Sequence, residues 1–326
     1  MAKLRSERTY LQSDCGAIAG MKRFSHEAMA TTFEVLVVHP DERYARQAAA
    51  AAFDLADRLE LELSRFVESS DIWRINHGPA GQPVVVGLAA FECLDISRRI
   101  YDQTKGAFDV TIGSLLKCWR ADGAEARPPS QEQLKAAQGR TGMGLLELSR
   151  GQHSVTALVE GVQVDLGGIG KGYAVDRMGE LLREWGVDTA LISGGYSSVL
   201  ALDPPPGRRG WPVSLTHPQR AGQVLAKPQL QKRAMGSSGL RKGRHIIDPR
   251  TGRPVKKKCA AWSSAPEAAT ADALSTAFMV MSVEEIENYC RDHQEVSAMV
   301  VFDTDSGRAK QAPPLRFGCW EQVGST

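Results

Sequence analysis

Hydrophobic and polar residues alternate along the chain in patterns that predict both strands and helices. Residues 32–39 are rich in β-branched residues, which is typical of a strand. Residues 41–66 are Ala-rich, and Phe53, Leu55, Leu59 and Leu63 form an apolar stripe at helical spacing. The other patterns predict strands at 84–86, 145–148, 155–159, 161–166, 189–193, 199–202, 245–249 and 296–302 and helices at 89–104, 173–185, 270–281 and 283–293.

The order of these elements predicts an α+β fold. Strands and helices alternate irregularly, and 145–148 with 155–159 form a hairpin-like pair, which a purely parallel sheet would not contain. Residues 1–22 are expected to be a loose leader. The composition changes to Ala, Gly, Pro and Arg between residues 121 and 131, so we expect an internal boundary between two lobes there.

Composition and charge narrow the class of protein. Hydrophobic residues make up 42% and charged residues 24% of the 326 residues, as in an ordinary folded chain. Forty Lys and Arg against 38 Asp and Glu give a net charge of +2, which argues against a protein that mainly binds nucleic acid. The six cysteines are scattered singly, so their spacing argues against a structural zinc site and fits a reducing compartment.

The first 21 residues carry five charged side chains and no apolar core, and therefore do not resemble a signal peptide. No window of about 18 uninterrupted apolar residues predicts a membrane span. We expect a cytoplasmic protein as the sequence is written, or an exported one if the true start lies upstream.

A glycine-rich stretch at 167–172 separates a predicted strand from a predicted helix. Such a turn lets backbone N–H groups approach a phosphate at the helix N-terminus. The spacing fails both the Walker A pattern, which would need Ser or Thr at Gly172, and the dinucleotide pattern, which would need Gly at Tyr173. A tight strand-to-helix connection explains the glycines equally well, but the flanking charges of Asp165 and Lys171 favour a functional site, because burying unused charges is costly.

The stretch 270–276 places three oxygen-bearing side chains on one face of a helix. Asp272, Ser275 and Thr276 stand at i, i+3 and i+4. A carboxylate with hydroxyls is a hard-oxygen set suited to Mg²⁺. By itself the pattern is better explained by Thr270 as an N-cap and by Asp272 as a complement to the helix dipole.

His245 lies on a short predicted strand, within an unusually basic segment. A lone histidine on an apolar strand is more often structural, although histidine can exchange protons near neutral pH. Residues 227–258 hold eleven Lys and Arg and only one acidic residue, Asp248. A solvated face explains this segment; the alternative is attraction for an anionic ligand, partner protein or membrane surface.

Several short blocks follow one another in an order that is more specific than any one of them. They are Met29-Ala30-Thr31, Leu63 to Phe66 with Ser70 to Asn76, Gly106 to Asp109 with Trp119, Val164 to Tyr173, Gly194-Gly195, His245 to Gly252, and Ala271 to Thr276. Together they resemble the FAD:protein FMN transferase (ApbE-like) family over nearly the whole chain after about residue 27.

The resemblance implies a two-lobed, ApbE-like (T-fold-like) α+β domain over residues 23–326, with FAD in the cleft between the lobes. It implies an enzyme that uses Mg²⁺ to split the FAD pyrophosphate and attaches FMN through a phosphoester to a Thr or Ser of an acceptor protein, releasing AMP. The alternatives are a FAD-binding protein or a pyrophosphatase that converts FAD to FMN and AMP without protein transfer.

The resemblance also implies roles for individual residues. His245 and Asp272 match catalytic positions. The metal positions are Gly168, through its carbonyl, with Asp272, Ser275 and Thr276. The FAD-contacting positions are Met29, Phe66, Ala107, Phe108, Asp109, Asp165, Lys171 and Ile246.

Three positions depart from the family pattern. Tyr196 stands where Asp is common, Val110 where Pro is frequent, and Phe66 where Tyr is frequent. These departures bear on FAD affinity and on the balance between transfer and hydrolysis. Without the resemblance, Met29 and Phe66 would be expected in the hydrophobic core.

Overall fold

An eight-stranded sheet runs through the centre of the protein. The structure is a computed structural model that describes residues 11–16, 18–119, 128–220, 222–240, 246–302 and 313–320. Its helices are α1 Glu42–Leu63, α2 Asp71–His77, α3 Leu88–Gln103, α4 Gly113–Trp119, α5 Gln131–Gln138, α6 Gly170–Glu184, α7 Ala268–Val280 and α8 Val283–Asp292.

The strands divide into one large sheet and three small ones. The strands are β1 Leu11–Ser13, β2 Met21–Ala28, β3 Thr31–Val38, β4 Pro83–Val85, β5 Leu146–Ser149, β6 Ser154–Ala157, β7 Ala190–Gly194, β8 Ser198–Ala201, β9 Trp211–Thr216, β10 Val224–Ala226, β11 Gln229–Leu230, β12 Arg233–Gly239, β13 Ile247–Asp248, β14 Arg253–Pro254, β15 Lys258–Ala265, β16 Ser297–Phe302 and β17 Leu315–Phe317.

All pairs in the large sheet are antiparallel. Its strand order is β17-β16-β15-β12-β8-β7-β3-β2. No parallel β-α-β unit is needed to build it, and the helices are attached at one side of it, which defines an α+β fold. The predicted fold class is confirmed.

The two faces of the large sheet are covered differently. Helices α1, α6 and α7 pack on one face, and their small buried residues, mostly alanines, let them approach the sheet and each other closely. A small sheet of β1, β9, β10 and β11 covers the other face around the buried Trp211 and Trp262. Because both faces are covered, the central strands β7, β8 and β15 are buried along their whole length.

Local signals determine where the helices begin. Asp41 accepts the N–H of Tyr44 at the start of α1, and Ser70 accepts that of Trp73 at the start of α2. Thr270 is not the N-cap of α7, because that helix begins two residues earlier and Glu267 occupies the cap position.

Several elements differ from the predicted ones. Residues 11–22 of the expected leader contain β1 and the start of β2, and residues 161–166 form only an isolated bridge between Ile112 and Gln163. Strand β12 escaped prediction because its residues are small rather than β-branched or alternating. The packing explains this composition: a Cβ at Gly236 would lie 2.2 Å from the Ala271 carbonyl oxygen of α7.

The expected lobe boundary at 121–131 falls mainly outside the described residues, which resume at 128 and enter α5 at Gln131. It stays a prediction, as does the assignment of 23–326 to one domain. Among the residues that the structure describes, no helix is long and apolar enough to cross a membrane.

Candidate functional site

Helix α7 and the glycine turn before α6 come together, although about a hundred residues separate them in the chain. A Cβ at Gly168 would lie 3.3 Å from Thr276 Oγ1 and 3.2 Å from a ring carbon of Phe108. A side chain at Gly168 would therefore require Phe108 and Thr276 to shift by a few tenths of an ångström. The backbone of the turn is held beside the three oxygen-bearing side chains that the sequence places at i, i+3 and i+4.

Asp272 lies at the centre of this contact and is 2% exposed. Its Oδ2 accepts the backbone N–H of Gly172 at 3.2 Å and lies 3.7 Å from Lys171 Nζ. Burial raises the pKa of the Asp272 carboxyl, while the Lys171 ammonium and the neighbouring donors partly oppose that rise. A buried carboxylate with so few direct partners is a group that gains free energy from a bound cation.

A serine of β8 faces the same carboxylate. Ser198 Oγ is buried and makes no hydrogen bond of normal geometry within the described part of the chain. Its hydroxyl nevertheless lies close enough to Asp272 to lower the pKa of that carboxyl. Ser198 could not be predicted from the sequence, because nothing in the local pattern of 198–201 distinguishes it from a core position.

Three hydroxyls form a cluster beside Asp272. Ser238 Oγ of β12 lies 2.8 Å from Ser275 Oγ and 2.9 Å from Thr276 Oγ1. Ser275 Oγ in turn donates to the Asp272 carbonyl oxygen at 2.8 Å. Ser238 was also missed by the sequence analysis, since the strand that carries it shows no strand-like pattern.

The oxygen donors at this point fit a hard divalent cation. The set contains one carboxylate, two hydroxyls and the backbone of Gly168, which suits Mg²⁺ with open positions for phosphate oxygens. The unpartnered hydroxyl of Ser198 fits the same interpretation, because a buried polar group without a partner is costly. Among the described residues no group of three or more His, Cys, Asp or Glu is placed to hold a metal, so this site has a single carboxylate.

Lys171 and Asp165 lie at opposite ends of the glycine turn. Lys171 Nζ donates to the Gly167 carbonyl oxygen at 3.2 Å, and Asp165 Oδ1 accepts the Gly167 N–H at 2.8 Å. One anionic side chain and one cationic side chain thus hydrogen-bond to the backbone of the turn. Both residues that favoured a functional interpretation of the glycines are therefore in contact with the turn itself.

Arg65 joins this turn to an exposed aromatic ring. Its Nε lies 3.3 Å from Asp165 Oδ2, and its guanidinium stacks 4.6 Å from the centre of the Phe66 ring. Phe66 is 78% exposed, so the expectation from pattern alone that it belongs to the core is wrong. An exposed phenylalanine held by a cation beside a glycine turn is available to stack against a planar ligand.

The segment 107–109 is buried next to the glycine turn. Ala107 and Phe108 are almost fully buried, and Phe108 is the ring that contacts Gly168. Asp109 Oδ1 accepts both the N–H and the Oγ1–H of Thr111, at 2.8 and 2.6 Å. Burial raises the pKa of Asp109 to about 6, and these two hydrogen bonds only partly oppose the rise. The Asp109 carboxylate therefore stabilises the conformation of residues 109–111.

Met29 lies at the tip of the hairpin between β2 and β3. Its φ is 50° and that of Ala30 is 56°, the pair of left-handed residues that a two-residue hairpin of this type requires. The Met29 N–H donates to Glu60 of α1 at 2.7 Å, and its side chain packs half-buried against the core. Its expected place in the core is therefore only partly correct.

The remaining predicted residues are Ile246 and His245. Ile246 is buried immediately before β13. His245 lies outside the described residues, so its role stays a prediction. Val110 is buried and its carbonyl accepts the Asp165 N–H at 2.7 Å, while Tyr196 is 40% exposed in the turn between β7 and β8.

An open cavity of about 680 Å³ lies elsewhere, between α4, α5 and residues 161–163. Lys117 and Arg140 line it, and none of the predicted site residues does. We place the candidate site at α7 and the glycine turn rather than at this cavity, because a buried carboxylate, the buried hydroxyl of Ser198 and a close backbone approach coincide there within the described residues.

Comparisons with known proteins show which family and which fold this chain resembles. The sequence model described as the ApbE family matches residues 29–300. A protein from Klebsiella pneumoniae (strain 342), named FAD:protein FMN transferase, is 28% identical over 309 residues, covering 89% of this chain and 87% of the relative. One of the same name from Escherichia coli (strain K12) is 29% identical over 274 residues, covering 78% and 76%.

Solved structures share the fold. The flavin transferase ApbE from Vibrio cholerae superposes with a TM-score of 0.81 at 22% identity, covering 93% of this chain and 99% of that one. The ApbE protein from Thermotoga maritima gives the same TM-score and coverage at 26% identity.

Proposed function

This chain belongs to the ApbE family, and we propose that it is a Mg²⁺-dependent FAD:protein FMN transferase. As a transferase of this family it cleaves the pyrophosphate of FAD and attaches FMN through a phosphoester to a Thr or Ser of an acceptor protein, with release of AMP. The observation that carries the proposal is the contact between the glycine turn and α7, where Gly168 lies beside Thr276 and where Asp272 accepts the Gly172 N–H and lies beside Lys171.

Charge explains why this contact suits a diphosphate. Asp272 and Lys171 lie 3.7 Å apart and offset each other, so the pair alone attracts neither a cation nor an anion strongly. Arrival of a diphosphate gives Lys171 a second anionic partner and leaves Asp272 free for a cation. We therefore expect the cation and FAD to bind cooperatively.

Mg²⁺ held by Asp272, Ser275, Thr276 and the Gly168 carbonyl would offset the charge of the pyrophosphate and of its transition state. Lys171 adds a fixed positive charge 3.7 Å from Asp272. Phe66 offers exposed aromatic surface for the flavin ring and is held in place by Arg65, while the buried Phe108 packs against the glycine turn at Gly168. Met29, Ala107, Asp109, Asp165 and Ile246 remain the other proposed FAD contacts.

The acceptor hydroxyl must lose its proton as it attacks the phosphorus atom that joins FMN to AMP. We propose that His245 accepts this proton, since an imidazole titrates near neutral pH. In the balanced reaction, the bond from the acceptor oxygen to the FMN phosphorus forms, the bond from that phosphorus to the AMP oxygen breaks, and AMP leaves.

The test uses the full chain with FAD, Mg²⁺ and a candidate acceptor protein. Mass spectrometry should show the acceptor heavier by FMN less one water, and chromatography should show AMP in equal amount. AMP without a labelled acceptor would instead support the pyrophosphatase alternative, and bound FAD without AMP would support the binding protein.

Removing the carboxylate gives the sharpest variant. We expect Asp272→Ala to lower kcat/KM by about 10³-fold or more, because metal stabilisation of developing charge is worth several kcal/mol. The fold should persist, since a buried carboxylate with a raised pKa costs stability. Asp95→Ala, which removes an exposed partner of Arg150, serves as the control. Wild-type turnover by Asp272→Ala in metal-controlled buffer would defeat the proposal.

A further inference from the structure

Ser238 contacts both hydroxyls of the proposed metal site without belonging to the set that the family resemblance implies. It lies near the end of β12, where that strand passes along α7. Its neighbour Ser237 points to the other side of the strand, where its Oγ donates to the Tyr196 carbonyl oxygen at 3.2 Å. Ser237 and Ser238 therefore carry the same hydroxyl group but point to opposite sides of β12.

The number of hydroxyl protons determines which oxygen donates and which accepts in each hydrogen bond of the cluster. Each hydroxyl has a single proton to donate. Ser275 donates its proton to the Asp272 carbonyl, 2.8 Å away. The contact between Ser238 and Ser275 then requires Ser238 as the donor, and the contact between Ser238 and Thr276 requires Thr276 as the donor.

This direction leaves the Thr276 oxygen with its proton turned toward Ser238 and its lone pairs unused. The same oxygen faces Gly168, where a Cβ would lie 3.3 Å away. A hydroxyl oxygen can bind a cation only through a lone pair, so the orientation of its proton matters. A partner that holds a ligand in this way is a recurrent feature of metal sites.

We infer that Ser238 is a positioning residue that accepts the Thr276 proton while donating its own to Ser275, so that the lone pairs of Thr276 face a divalent cation. This inference rests on the proposed function for the presence of the cation. It assigns Ser238 no contact with FAD and no part in proton transfer. Its consequence is a cation affinity that depends on a hydroxyl of β12, outside the helix that supplies the ligands.

The test measures cation binding without turnover. Mn²⁺, a paramagnetic substitute for Mg²⁺, is titrated into the full chain saturated with FAD and without acceptor protein, and free Mn²⁺ is followed by electron paramagnetic resonance against an FAD-only blank. We expect Ser238→Ala to weaken Mn²⁺ binding by about 10- to 100-fold, the usual effect of losing a residue that orients a ligand. Ser237→Ala, which removes a hydroxyl from the other side of β12, should bind like the wild type.

Kinetics and rescue separate orientation from general damage. Ser238→Ala should need more Mg²⁺ for half-maximal activity but approach the wild-type kcat at saturating Mg²⁺. Ser238→Thr, which restores a hydroxyl, should recover most of the affinity. If Ser238→Ala does not fold, Ser238→Cys replaces it, because a thiol fills the position but is a weak donor.

Equal Mn²⁺ affinity in Ser238→Ala and Ser237→Ala would overturn the inference, and so would a failure of Ser238→Thr to recover binding. Neither result depends on FMN transfer. If the wild type bound Mn²⁺ but transferred no FMN, the proposed function would fail while the role of Ser238 could still be measured.

Discussion

Asp109 is a carboxyl group that the fold keeps away from water. It is 6% exposed, and both of its hydrogen bonds come from Thr111, two residues later. Burial raises its pKa from 3.8 to about 6. The folded protein therefore binds a proton at Asp109 in a pH range where the unfolded chain has already lost it.

The sign of the resulting pH dependence follows from that difference. Between about pH 4 and pH 6 the folded state holds more protons at Asp109 than the unfolded state does. The free energy of unfolding therefore falls as the pH rises through this range, and the loss stays constant above about pH 6. We expect Asp109→Asn to gain stability relative to the wild type by up to about 3 kcal/mol between pH 4 and pH 7. Urea unfolding at both pH values measures the gain.

Asp95→Asn, at an exposed ion pair with Arg150, is the matched control and should show little change with pH. A stability difference between Asp109→Asn and the wild type that is the same at both pH values would show that the carboxyl titrates normally.

Helix α7 is an element whose two ends are capped by charged side chains from other elements. Asp176 of α6 accepts the N–H groups of Ala268 and Ala269 at 2.7 and 2.8 Å. The buried Lys258 of β15 donates to the carbonyl oxygens of Phe278, at 2.7 Å, and Met281. Burial raises the pKa of Asp176 to about 7, so its carboxyl is partly protonated near neutral pH, whereas the Lys258 ammonium complements the helix dipole at the C-terminal end of α7. Together the two side chains position the helix that carries Asp272.

Removing the cationic cap should destabilise the fold. Burial lowers the pKa of Lys258 to about 8, so its ammonium is still charged at pH 7. We expect Lys258→Met to cost about 2–4 kcal/mol in the free energy of unfolding, because two buried carbonyl groups lose their donor. Lys257→Met, at the exposed neighbouring position, should stay within about 0.5 kcal/mol of the wild type.

Thermal and urea unfolding of both lysine variants provide the measurement. Similar effects at the two positions would mean that the cap does not stabilise α7.

At the scale of the whole molecule, the large sheet separates two hydrophobic cores. The first lies under the helices and contains the candidate site, and the second lies between the large sheet and the small one. Leu11 of β1 is 1% exposed in the second core and pairs with Leu215 of β9. The N-terminal part of the described chain therefore contributes to stability on the face away from α7.

This separation predicts a variant that loses stability without losing activity. Leu11→Ala should cost about 2–5 kcal/mol, the range for removing a fully buried leucine side chain. Its kcat should equal that of the wild type at temperatures where both are folded, because the site lies on the other face. Leu61→Ala, at a 58% exposed position on α1, is the stability control. A lower kcat in folded Leu11→Ala would show that the two faces are coupled.

The basic segment 227–258 shows how far charge can be interpreted from sequence. Lys227 pairs with Asp14, and Lys232 with Asp203. Arg250 contacts both Asp248 and Glu285. Much of the described positive charge thus has partners from distant parts of the chain, which favours a solvated face over a free anion-binding surface. Docking to an anionic partner stays a prediction.

Part of this protein could be predicted because the relevant spacing is local. The stripe of α1 and the alignment of Asp272, Ser275 and Thr276 on one helical face follow from a period of 3.6 residues. The glycine stretch with Asp165 and Lys171 was recognisable for the same reason, since all its members are close in the chain. These features depend on neighbouring dihedral angles, and a linear sequence contains that information.

What only the tertiary structure decided are contacts between distant segments. Strand order in an antiparallel sheet brings Ser238 to α7, Ser198 to Asp272 and Lys258 to the end of the helix, and no local pattern marks these three residues. Arg65 likewise meets Asp165 from a hundred residues away. Such contacts depend on which strands pair and how closely helices approach the sheet. The residues proposed as ligands therefore form a pattern that the sequence shows, whereas the residues that contact them from other elements do not.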